Sequence, residues 1–410
     1  MPTISSNKAG FRRCVLLFAV AAALQLVVPA AGADNATPGP NVHLRGSIDN
    51  ARVQFAEKKT GHVAFIGGSI TEMNGYRPMV CEILQRRFPD TNFTFTDAGI
   101  SSTCSTTGAF RLETDVLAAG PVDLFFIEFA VNDDQDAAHA RRECVRAMEG
   151  LIRHTRRHNP HADIVITYFC NPGMVETIQA GNTPTSIDGH EAVARHYGVS
   201  TINLAGEVAR QITAGELTWK QFGGTHPAPP GNALCAGMID SLMSTAWSGP
   251  LAPDAKKVPH PVPKAPLDAG HYGNGRFVDP GDAKIQDPWK IHTPPWKELP
   301  GSCRSRFVDA RMLCADRAGA ELTLAFDGTA VGAYVLAGPD AGTVEASIDG
   351  GPVKRIDLYH RFSRGLHYPR TVMFAVDLKP GSHTLRLRIS DEKNQSSRGH
   401  AVRILQFAVN

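Results

Sequence analysis

The sequence has almost no net charge and few long apolar runs. Its 42 lysines and arginines against 40 aspartates and glutamates leave a formal net charge of +2 over 410 residues. A balance this close to zero argues against nucleic acid or an anionic membrane surface as the main partner. Beyond the N-terminal stretch, no segment approaches the ~20 apolar residues that a membrane-spanning helix requires. We therefore expect a chain that neither binds nucleic acid nor spans a membrane.

Cysteine is also scarce, and its spacing fits no zinc motif. With no set of ligands visible in the sequence, we expect neither a metal nor a cofactor. Seven of the eight cysteines lie beyond residue 33. An oxidising compartment would allow some of them to pair, and we expect Cys303 and Cys314 to pair first because they are close in sequence. The odd count leaves at least one thiol unpaired within the chain.

The first 33 residues have the pattern of an export signal. A basic region ends at Arg13, an apolar run follows as far as Val28, and Ala31-Gly32-Ala33 is an A-x-A cleavage site. The apolar run is shorter than a membrane span, so a membrane anchor is the less favoured alternative. We expect a signal peptide over residues 1–33 and a mature protein that is secreted or periplasmic.

The rest of the chain divides by its pattern of apolar residues. Up to about Trp247, strand-like runs alternate with amphipathic helical segments, which indicates βα units around a parallel sheet. A stretch rich in proline and lysine follows, typical of a linker that is partly packed on the next domain. Short alternating runs with turn signals between them then predict an all-β, jelly-roll-like sandwich. The expected domains are an α/β domain over residues 34–250, the linker over 251–300 and the sandwich over 301–410.

One stretch of the α/β domain combines a strand, a sharp turn and a serine. The apolar run Val63–Ile66 predicts a buried strand that ends at Gly67-Gly68, and Ser69 follows at once. Two glycines allow the chain to turn sharply, and the carboxyl end of a strand is where open α/β sheets bind ligands. The serine could equally cap the following helix, since serine is a favoured N-cap residue.

Three further stretches supply what an acyl-transfer site needs. His226, in GGTHP, is a candidate base for the Ser69 hydroxyl, because histidine titrates near neutral pH. Gly99, in DAGIS, follows a strand and offers a backbone N–H that is free to point into a site. Asn132, in AVND, follows another strand and offers a side-chain amide. Such donors would stabilise the negative charge that develops on a carbonyl oxygen under attack.

The stretches GGSIT, DAGIS, AVND and GGTHP, in this order, resemble the four blocks of the SGNH hydrolases, also called GDSL esterases. The resemblance covers roughly Val63 to Ser244. It implies a flavodoxin-like α/β/α three-layer domain with a central parallel sheet, and serine esterase chemistry. It also implies Ser69 as nucleophile, His226 as base, and an oxyanion hole made by the N–H groups of Ser69 and Gly99 and the amide of Asn132.

Two departures from the family pattern bear on the chemistry. Gly68 stands where the family usually has an aspartate, and Gly223 stands where the family has its acid, three residues before the histidine. A carboxylate at the second position would hold the imidazole and steady its charged form. Without it, we expect a Ser–His dyad helped by a backbone carbonyl, or an acid from elsewhere in the chain, or failing both a weakened or inactive site.

These observations lead to a functional expectation. We expect a secreted serine esterase that removes acyl groups, acetyl foremost, from carbohydrate. The carbohydrate substrate rests on analogy with the family, and a lipase, thioesterase or arylesterase remains open. The alternative from a different class is a non-catalytic glycan-binding protein that has a degenerate hydrolase site and binds glycan with its sandwich.

Other polar groups admit a functional and a structural interpretation, and we favour the structural one for each. Three histidines would form a solvated helix end rather than a metal site, and three aspartates a polar loop rather than a calcium site. One cysteine would pack or pair rather than attack a substrate. An arginine and a glutamate would form a structural ion pair or part of the rim of the site, and would take no part in the chemistry. In this order, the groups are His154, His158 and His161; Asp133, Asp134 and Asp136; Cys104; and Arg111 with Glu113.

Overall fold

The structure, a computed structural model, describes residues 39–410, and the expected signal peptide lies outside them. None of the helices in residues 39–410 combines the length with the apolar character that a membrane span requires. The N-terminal half of this part contains one six-stranded sheet. Its strands are β1 (Val42–His43), β2 (Thr60–Gly67), β3 (Asn92–Gly99), β4 (Leu124–Glu128), β5 (Asp163–Thr167) and β6 (Ser200–Ile202).

The order of these strands identifies the fold. In space they lie β1-β6-β5-β4-β2-β3, and all neighbours are parallel except the short β1, which is antiparallel to β6. Counted along the chain, the five parallel strands lie 2-1-3-4-5, which is the flavodoxin-like order. The expected α/β fold class is confirmed.

Helices cover this sheet in two groups, α4 with α5 and α7, and α10 with α3 and α8. A strand covered on both faces has no solvent side and is apolar throughout, as in β4, where every residue of LFFIE is buried. The helices are α1 (Asp49–Lys58), α2 (Ser69–Glu72), α3 (Tyr76–Arg87), α4 (Ser105–Asp115), α5 (Arg141–His158), α6 (Pro172–Gln179), α7 (Thr185–Tyr197), α8 (Leu204–Thr213), α9 (Trp219–Phe222) and α10 (Pro229–Ala246).

The C-terminal part is a sandwich of two antiparallel sheets. One sheet has the order β15-β12-β17-β10-β9, with β7 also paired to β17, and the other has the order β14-β13-β16-β11-β8. Both sheets contribute to one apolar core, for example Phe407 from the first and Leu385 from the second. The elements are β7 (Arg276–Val278), β8 (Lys284–Ile285), β9 (Lys290–His292), α11 (Ser305–Val308), β10 (Met312–Ala315), β11 (Glu321–Gly328), β12 (Val331–Ala337), β13 (Thr343–Ile348), β14 (Lys354–Asp357), β15 (Tyr368–Ala375), β16 (Gly381–Ile389) and β17 (Val402–Val409).

The proline-rich stretch is more ordered than its composition indicates. The strands β7, β8 and β9 fall within residues 251–300, and each pairs with a strand of the sandwich. The prolines of this stretch all lie outside the three strands, with Pro280 and Pro288 between them, so their missing N–H groups cost no sheet hydrogen bond. Strands of two or three residues are too short to show a period in the sequence.

The sandwich also contacts the loops at the carboxyl edge of the parallel sheet. Arg304 donates to Ser102 Oγ at 2.8 Å, and the Tyr368 hydroxyl donates to the Ser102 carbonyl oxygen at 3.2 Å. The His360 Nε2–H donates to the carbonyl oxygen of Asp136 at 2.7 Å. Ser102 follows β3 and Asp136 follows β4, so the sandwich supports two loops of the sheet edge that carries the candidate site.

The expected disulfide between Cys303 and Cys314 is wrong, since all seven cysteines of the described residues are free thiols. The Cys303 Sγ lies 3.6 Å from the carbonyl oxygen of Arg304, and the Cys314 Sγ lies 3.5 Å from that of Met312. Each thiol therefore contacts a nearby backbone oxygen instead of the other sulfur. Burial raises the pKa of Cys314 to about 12, which keeps this thiol protonated and unreactive.

Candidate active site

The turn after β2 delivers Ser69 to the carboxyl edge of the sheet. Gly68 is the N-cap residue of α2, Ser69 is its first residue, and no side chain caps the helix. Ser69 therefore does not serve as a helix cap, which was the structural alternative. Its Oγ lies 2.7 Å from Nε2 of His226, which is on the loop between α9 and α10. This separation is within the hydrogen-bond reach that a nucleophile and its base require.

No acid or backbone carbonyl among the described residues orients the His226 imidazole. Its side chain is exposed, and its hydrogen bond with Ser69 is the one it makes within residues 39–410. Neither the acid nor the backbone carbonyl that we expected to assist the imidazole is bonded to it. The pair is therefore a dyad, in which the second ring nitrogen, Nδ1, has no hydrogen bond to any described residue.

The backbone at Gly223 explains why the family's acid is absent there. Gly223 has φ of +104°, in the left-handed region that favours glycine. A Cβ at this position would lie 2.0 Å from the backbone nitrogen of Ala228, which itself donates to the carbonyl oxygen of Phe222 at 2.9 Å. The loop that carries His226 thus has no space for a side chain at residue 223.

Gly223→Asp, which restores the family's acid, is expected to destabilise the protein rather than to activate it. The left-handed backbone and the contact with Ala228 together should cost on the order of 2–4 kcal/mol of unfolding free energy and displace the loop. Urea unfolding and kcat/KM measure the two effects. Gly224→Asp is the matched control, because Gly224 has φ of +96° but nothing within 4 Å of its Cβ position. A Gly223→Asp enzyme that is as stable as the control and faster than wild type would contradict this account.

Asn132 lies where its amide can serve the candidate oxyanion hole. It opens the π-helical turn Asn132–Asp136 after β4 and is 2% exposed. Its Nδ2 donates to the Asp136 carboxylate, which leaves the second N–H of the amide for another acceptor. Burial raises the pKa of Asp136 to about 6. A Cβ at Gly68 would lie 2.0 Å from Asn132 Oδ1, so the amide occupies the space that the family's usual aspartate would need.

The Gly99 N–H is not free, contrary to our expectation. It donates to Asp97 Oδ1 at 3.0 Å. A Cβ at Gly99 would lie 2.2 Å from the backbone nitrogen of Glu72, so glycine is needed here for the close approach of α2 to β3. A place for Gly99 in the oxyanion hole stays a prediction. It requires the Gly99 N–H to break its hydrogen bond with Asp97 and to donate to the substrate oxygen instead.

Arg111 is a supporting residue whose place the sequence did not indicate. Its side chain is 1% exposed, and it donates from Nη1 to the Ala98 carbonyl oxygen at 2.6 Å and from Nη2 to that of Gly67 at 2.9 Å. These carbonyls end the two strands that lead to Gly99 and Ser69. One guanidinium thus fixes the relative position of both strand ends.

Arg111 and Glu113 do not pair with each other, so the first of the two structural interpretations, an ion pair between them, is wrong. Arg111 Nη1 pairs with Asp115 at 3.0 Å, and Glu113 pairs with His154 Nε2 at 3.2 Å. The i,i+4 spacing of Arg111 and Asp115 on one helix face is the signal that could have found the true partner. His154 and the two histidines after it belong to no group of potential metal ligands within the described residues.

The three aspartates after Asn132 do not converge on a calcium ion. Asp133 accepts from His190 Nε2 at 2.7 Å, and Asp134 accepts from Asn171 Nδ2 at 2.8 Å. Asp136 is bound by the amide of Asn132. Each carboxylate has a separate protein partner, which supports the interpretation as a polar loop.

A buried acid, Glu128, ends β4 beside the candidate site. It accepts from Thr71 Oγ1 at 3.2 Å, while its other oxygen, Oε1, has no partner among the described residues. Burial raises the pKa of Glu128 to about 8. The side chain is therefore held protonated in the folded protein at neutral pH.

Glu128→Gln is expected to stabilise the protein at alkaline pH. Between about pH 4.5 and 8 the unfolded chain has lost the Glu128 proton that the folded chain keeps, so wild-type stability falls as pH rises through this window. Glutamine has the shape of the protonated acid and does not titrate, so it should gain on the order of 2–4 kcal/mol at pH 8 and progressively less towards pH 5. Urea unfolding across this pH range measures the difference. An equal pH dependence in Glu128→Gln and in the exposed control Glu57→Gln would contradict it.

Comparisons with known proteins agree with the fold. Residues 65–234 match the model of the GDSL-like lipase/acylhydrolase family. A crystal structure of a two-domain esterase (CEX) active on acetylated mannans, co-crystallized with mannopentaose, is similar with a TM-score of 0.71 and 19% identity, over 90% of this chain and 96% of that one. A catalytic mutant of Axe2, an acetylxylan esterase from Geobacillus stearothermophilus, covers 45% of this chain and 94% of its own at 18% identity, with a TM-score of 0.37. A search of curated protein sequences found no match.

Proposed function

Because this chain has a GDSL-like lipase/acylhydrolase domain over residues 65–234 and is a carboxylic ester hydrolase, we propose that it removes acyl groups, acetyl foremost, from carbohydrate by serine catalysis. The observation that carries the proposal is the 2.7 Å contact between Ser69 Oγ and His226 Nε2 at the carboxyl edge of the sheet. A serine held by an imidazole there, next to an amide with a spare N–H, has the parts of an acyl-transfer site.

The proposed reaction has two halves. In the first, Ser69 Oγ attacks the ester carbonyl carbon while His226 Nε2 takes the hydroxyl proton, and the carbonyl oxygen becomes an oxyanion. The Ser69 N–H, which has no acceptor within α2, and the spare N–H of Asn132 stabilise this oxyanion. His226 then gives its proton to the departing alcohol oxygen, which leaves an acyl group on Ser69. In the second half, His226 takes a proton from water, the hydroxide attacks the acyl carbon, and the acid leaves as the proton returns to Ser69.

A carbohydrate substrate is supported by two considerations. The exposed position of His226 leaves the dyad open to a chain that extends on both sides of the scissile ester. CEX, a two-domain esterase that is similar in structure over 90% of this chain, is active on acetylated mannans. We propose acetylated polysaccharide as the substrate class of this chain, with mannan to be tested first.

Acetate release from acetylated mannan and acetylated xylan tests the proposal, beside p-nitrophenyl acetate and p-nitrophenyl palmitate. We expect activity on the acetyl esters, and we expect a fluorophosphonate to label Ser69, as mapped by peptide mass spectrometry. Activity on the palmitate alone would favour a lipase. No hydrolysis of any ester, together with no labelling of Ser69, would overturn the proposal in favour of a glycan-binding protein with a degenerate site.

We also propose that the protein is exported, from the pattern of its first 33 residues. Fractionation and N-terminal sequencing test this. We expect a mature chain that begins at Asp34 in the periplasm or the medium. An uncleaved chain in the cytoplasm would contradict it.

A further inference from the structure

Three potential metal ligands converge behind the turn that carries Asn132. Cys104 immediately precedes α4, Asp133 follows Asn132, and His139 lies on the segment that leads to α5. One ligand atom from each residue lies within 4.8 Å of the other two. Asp133 and Cys104 are buried, and the His139 side chain is 13% exposed.

The carboxylate of Asp133 has one unused position, and it faces His139. Oδ1 accepts from the Ser105 N–H at 2.8 Å, and Oδ2 accepts from Ser105 Oγ at 2.6 Å and from His190 Nε2 at 2.7 Å. A carboxylate has about four lone-pair sites, so one site on Oδ1 is left. His139 Nδ1 lies 3.4 Å from this oxygen, which is longer than a normal hydrogen bond. This buried nitrogen has no hydrogen-bond partner among the described residues.

The arrangement differs from a Cys–His–Asp catalytic triad. In a triad the imidazole stands between the nucleophile and the acid, which puts the sulfur and the carboxylate oxygen roughly 7 Å apart. Here the Cys104 and Asp133 ligand atoms lie within 4.8 Å of each other as well as of the imidazole nitrogen. The three atoms therefore surround a common point instead of forming a line.

We propose that Cys104, Asp133 and His139 bind a zinc ion. A thiolate, an imidazole and a carboxylate are the donors that zinc takes in proteins. Tetrahedral zinc, with bonds of about 2.0–2.1 Å to oxygen and nitrogen, separates those two atoms by roughly 3.3 Å; the observed distance between His139 Nδ1 and Asp133 Oδ1 is 3.4 Å.

The surroundings of the three ligands fit a zinc ion as well. A cavity of about 210 Å³ opens on Cys104 and His139, and it gives the ion a way in and room for a water as fourth ligand. Ser105 and His190 hold the Asp133 carboxylate in place, as outer partners of metal ligands commonly do. The sequence did not indicate this site because its members come from three separate segments and have no motif spacing.

A zinc ion here would affect catalysis only by holding the Asn132 amide in position. It would join the start of α4 to the turn that begins at Asn132, and so hold the amide at the oxyanion site. None of the three ligands touches Ser69 or His226 among the hydrogen bonds of the described residues. Zinc removal should therefore lower the thermal midpoint and kcat, with less effect on KM.

Equilibrium dialysis of the chelator-treated full chain against Zn²⁺, with metal content measured by mass spectrometry, tests the proposal. We expect about one zinc per chain in the wild type, in Ser69→Ala and in Cys303→Ser, whose thiol lies elsewhere. Cys104→Ser and His139→Gln should each bind roughly 100-fold more weakly. Because Ser69→Ala is expected to bind zinc, this outcome is separate from that of the esterase proposal.

Cobalt substitution gives a second measurement on the unaltered protein. The wild-type chain loaded with Co²⁺ should show a thiolate-to-cobalt charge-transfer band in the near ultraviolet, and Cys303→Ser should keep this band. Absence of the band in the wild type, or zinc affinity in a folded Cys104→Ser or His139→Gln variant equal to that of the wild type, would overturn the proposal. The wild-type spectrum decides the question even where a variant fails to fold.

Discussion

Ser69→Ala is expected to reduce kcat/KM for p-nitrophenyl acetate by at least ~10³-fold while the protein stays folded. Alanine removes the oxygen that forms the acyl-enzyme, and His226 is then left with water as the only nucleophile to activate. Among the described residues the Ser69 hydroxyl makes one hydrogen bond, to an exposed side chain, so its loss should cost little stability. Initial rates with an excess of substrate, and a thermal melt, measure the two quantities.

Two further variants make this result specific. Ser396→Ala removes an exposed hydroxyl that makes no hydrogen bond among the described residues, and it should leave the rate unchanged. His226→Ala should cost about as much as Ser69→Ala, and the double variant no more than either, because the two groups act as a unit. A Ser69→Ala enzyme that keeps more than about a tenth of wild-type activity would exclude Ser69 as the nucleophile.

Gly68→Ala is expected to lower kcat by about 10²- to 10³-fold, the usual cost of losing one oxyanion-hole donor. The new Cβ would lie 2.0 Å from Asn132 Oδ1, and the amide must move to make room. KM should change less, because the donor acts on the oxyanion that forms during attack and not on the ground-state ester. Steady-state kinetics with p-nitrophenyl acetate separate kcat from KM.

The comparison with Asn132→Ala shows whether the amide mediates the effect. Both single variants should be slowed by a similar factor, and the double variant should be no slower, since the methyl group then has nothing to displace. Gly237→Ala is the matched control: this glycine lies in α10, has nothing within 4 Å of its Cβ position, and should gain up to ~1 kcal/mol in stability with unchanged kcat. Additive losses in the double variant would contradict the account.

The sequence predicts those parts of the fold that depend on a repeating local pattern. The buried strand β4 is evident from DLFFIEF, and β17 is predicted at its observed bounds, because burial on both faces or on alternate residues is visible along the chain. The short strands β7 to β9 are not predictable, because two or three residues show no period and their pairing is decided by strands far along the chain.

The candidate site shows the same division. The stretches that carry Ser69, Asn132 and His226 are recognisable because each follows a strand or a glycine turn. The contacts that adjust the site are not recognisable, since each joins residues from separate segments: Ala228 closes the space at Gly223, and Arg111 joins two strand ends. A glycine in the sequence indicates that the position carries no side chain, but only the fold shows which neighbouring residue occupies the space that a side chain would need.

The hydrogen bonds from the sandwich to Ser102 and Asp136 bear on how this enzyme can be redesigned. Accessory domains of modular enzymes are often exchanged as independent folding units. Here Ala330 and Ala408 of the sandwich belong to the same apolar cluster as the core of the α/β domain. Fusing either domain to an unrelated one would therefore expose apolar surface that is buried in the intact chain. Variation of substrate range should therefore proceed by replacing loops within the intact chain, and libraries built by shuffling whole domains should yield insoluble or inactive chimaeras.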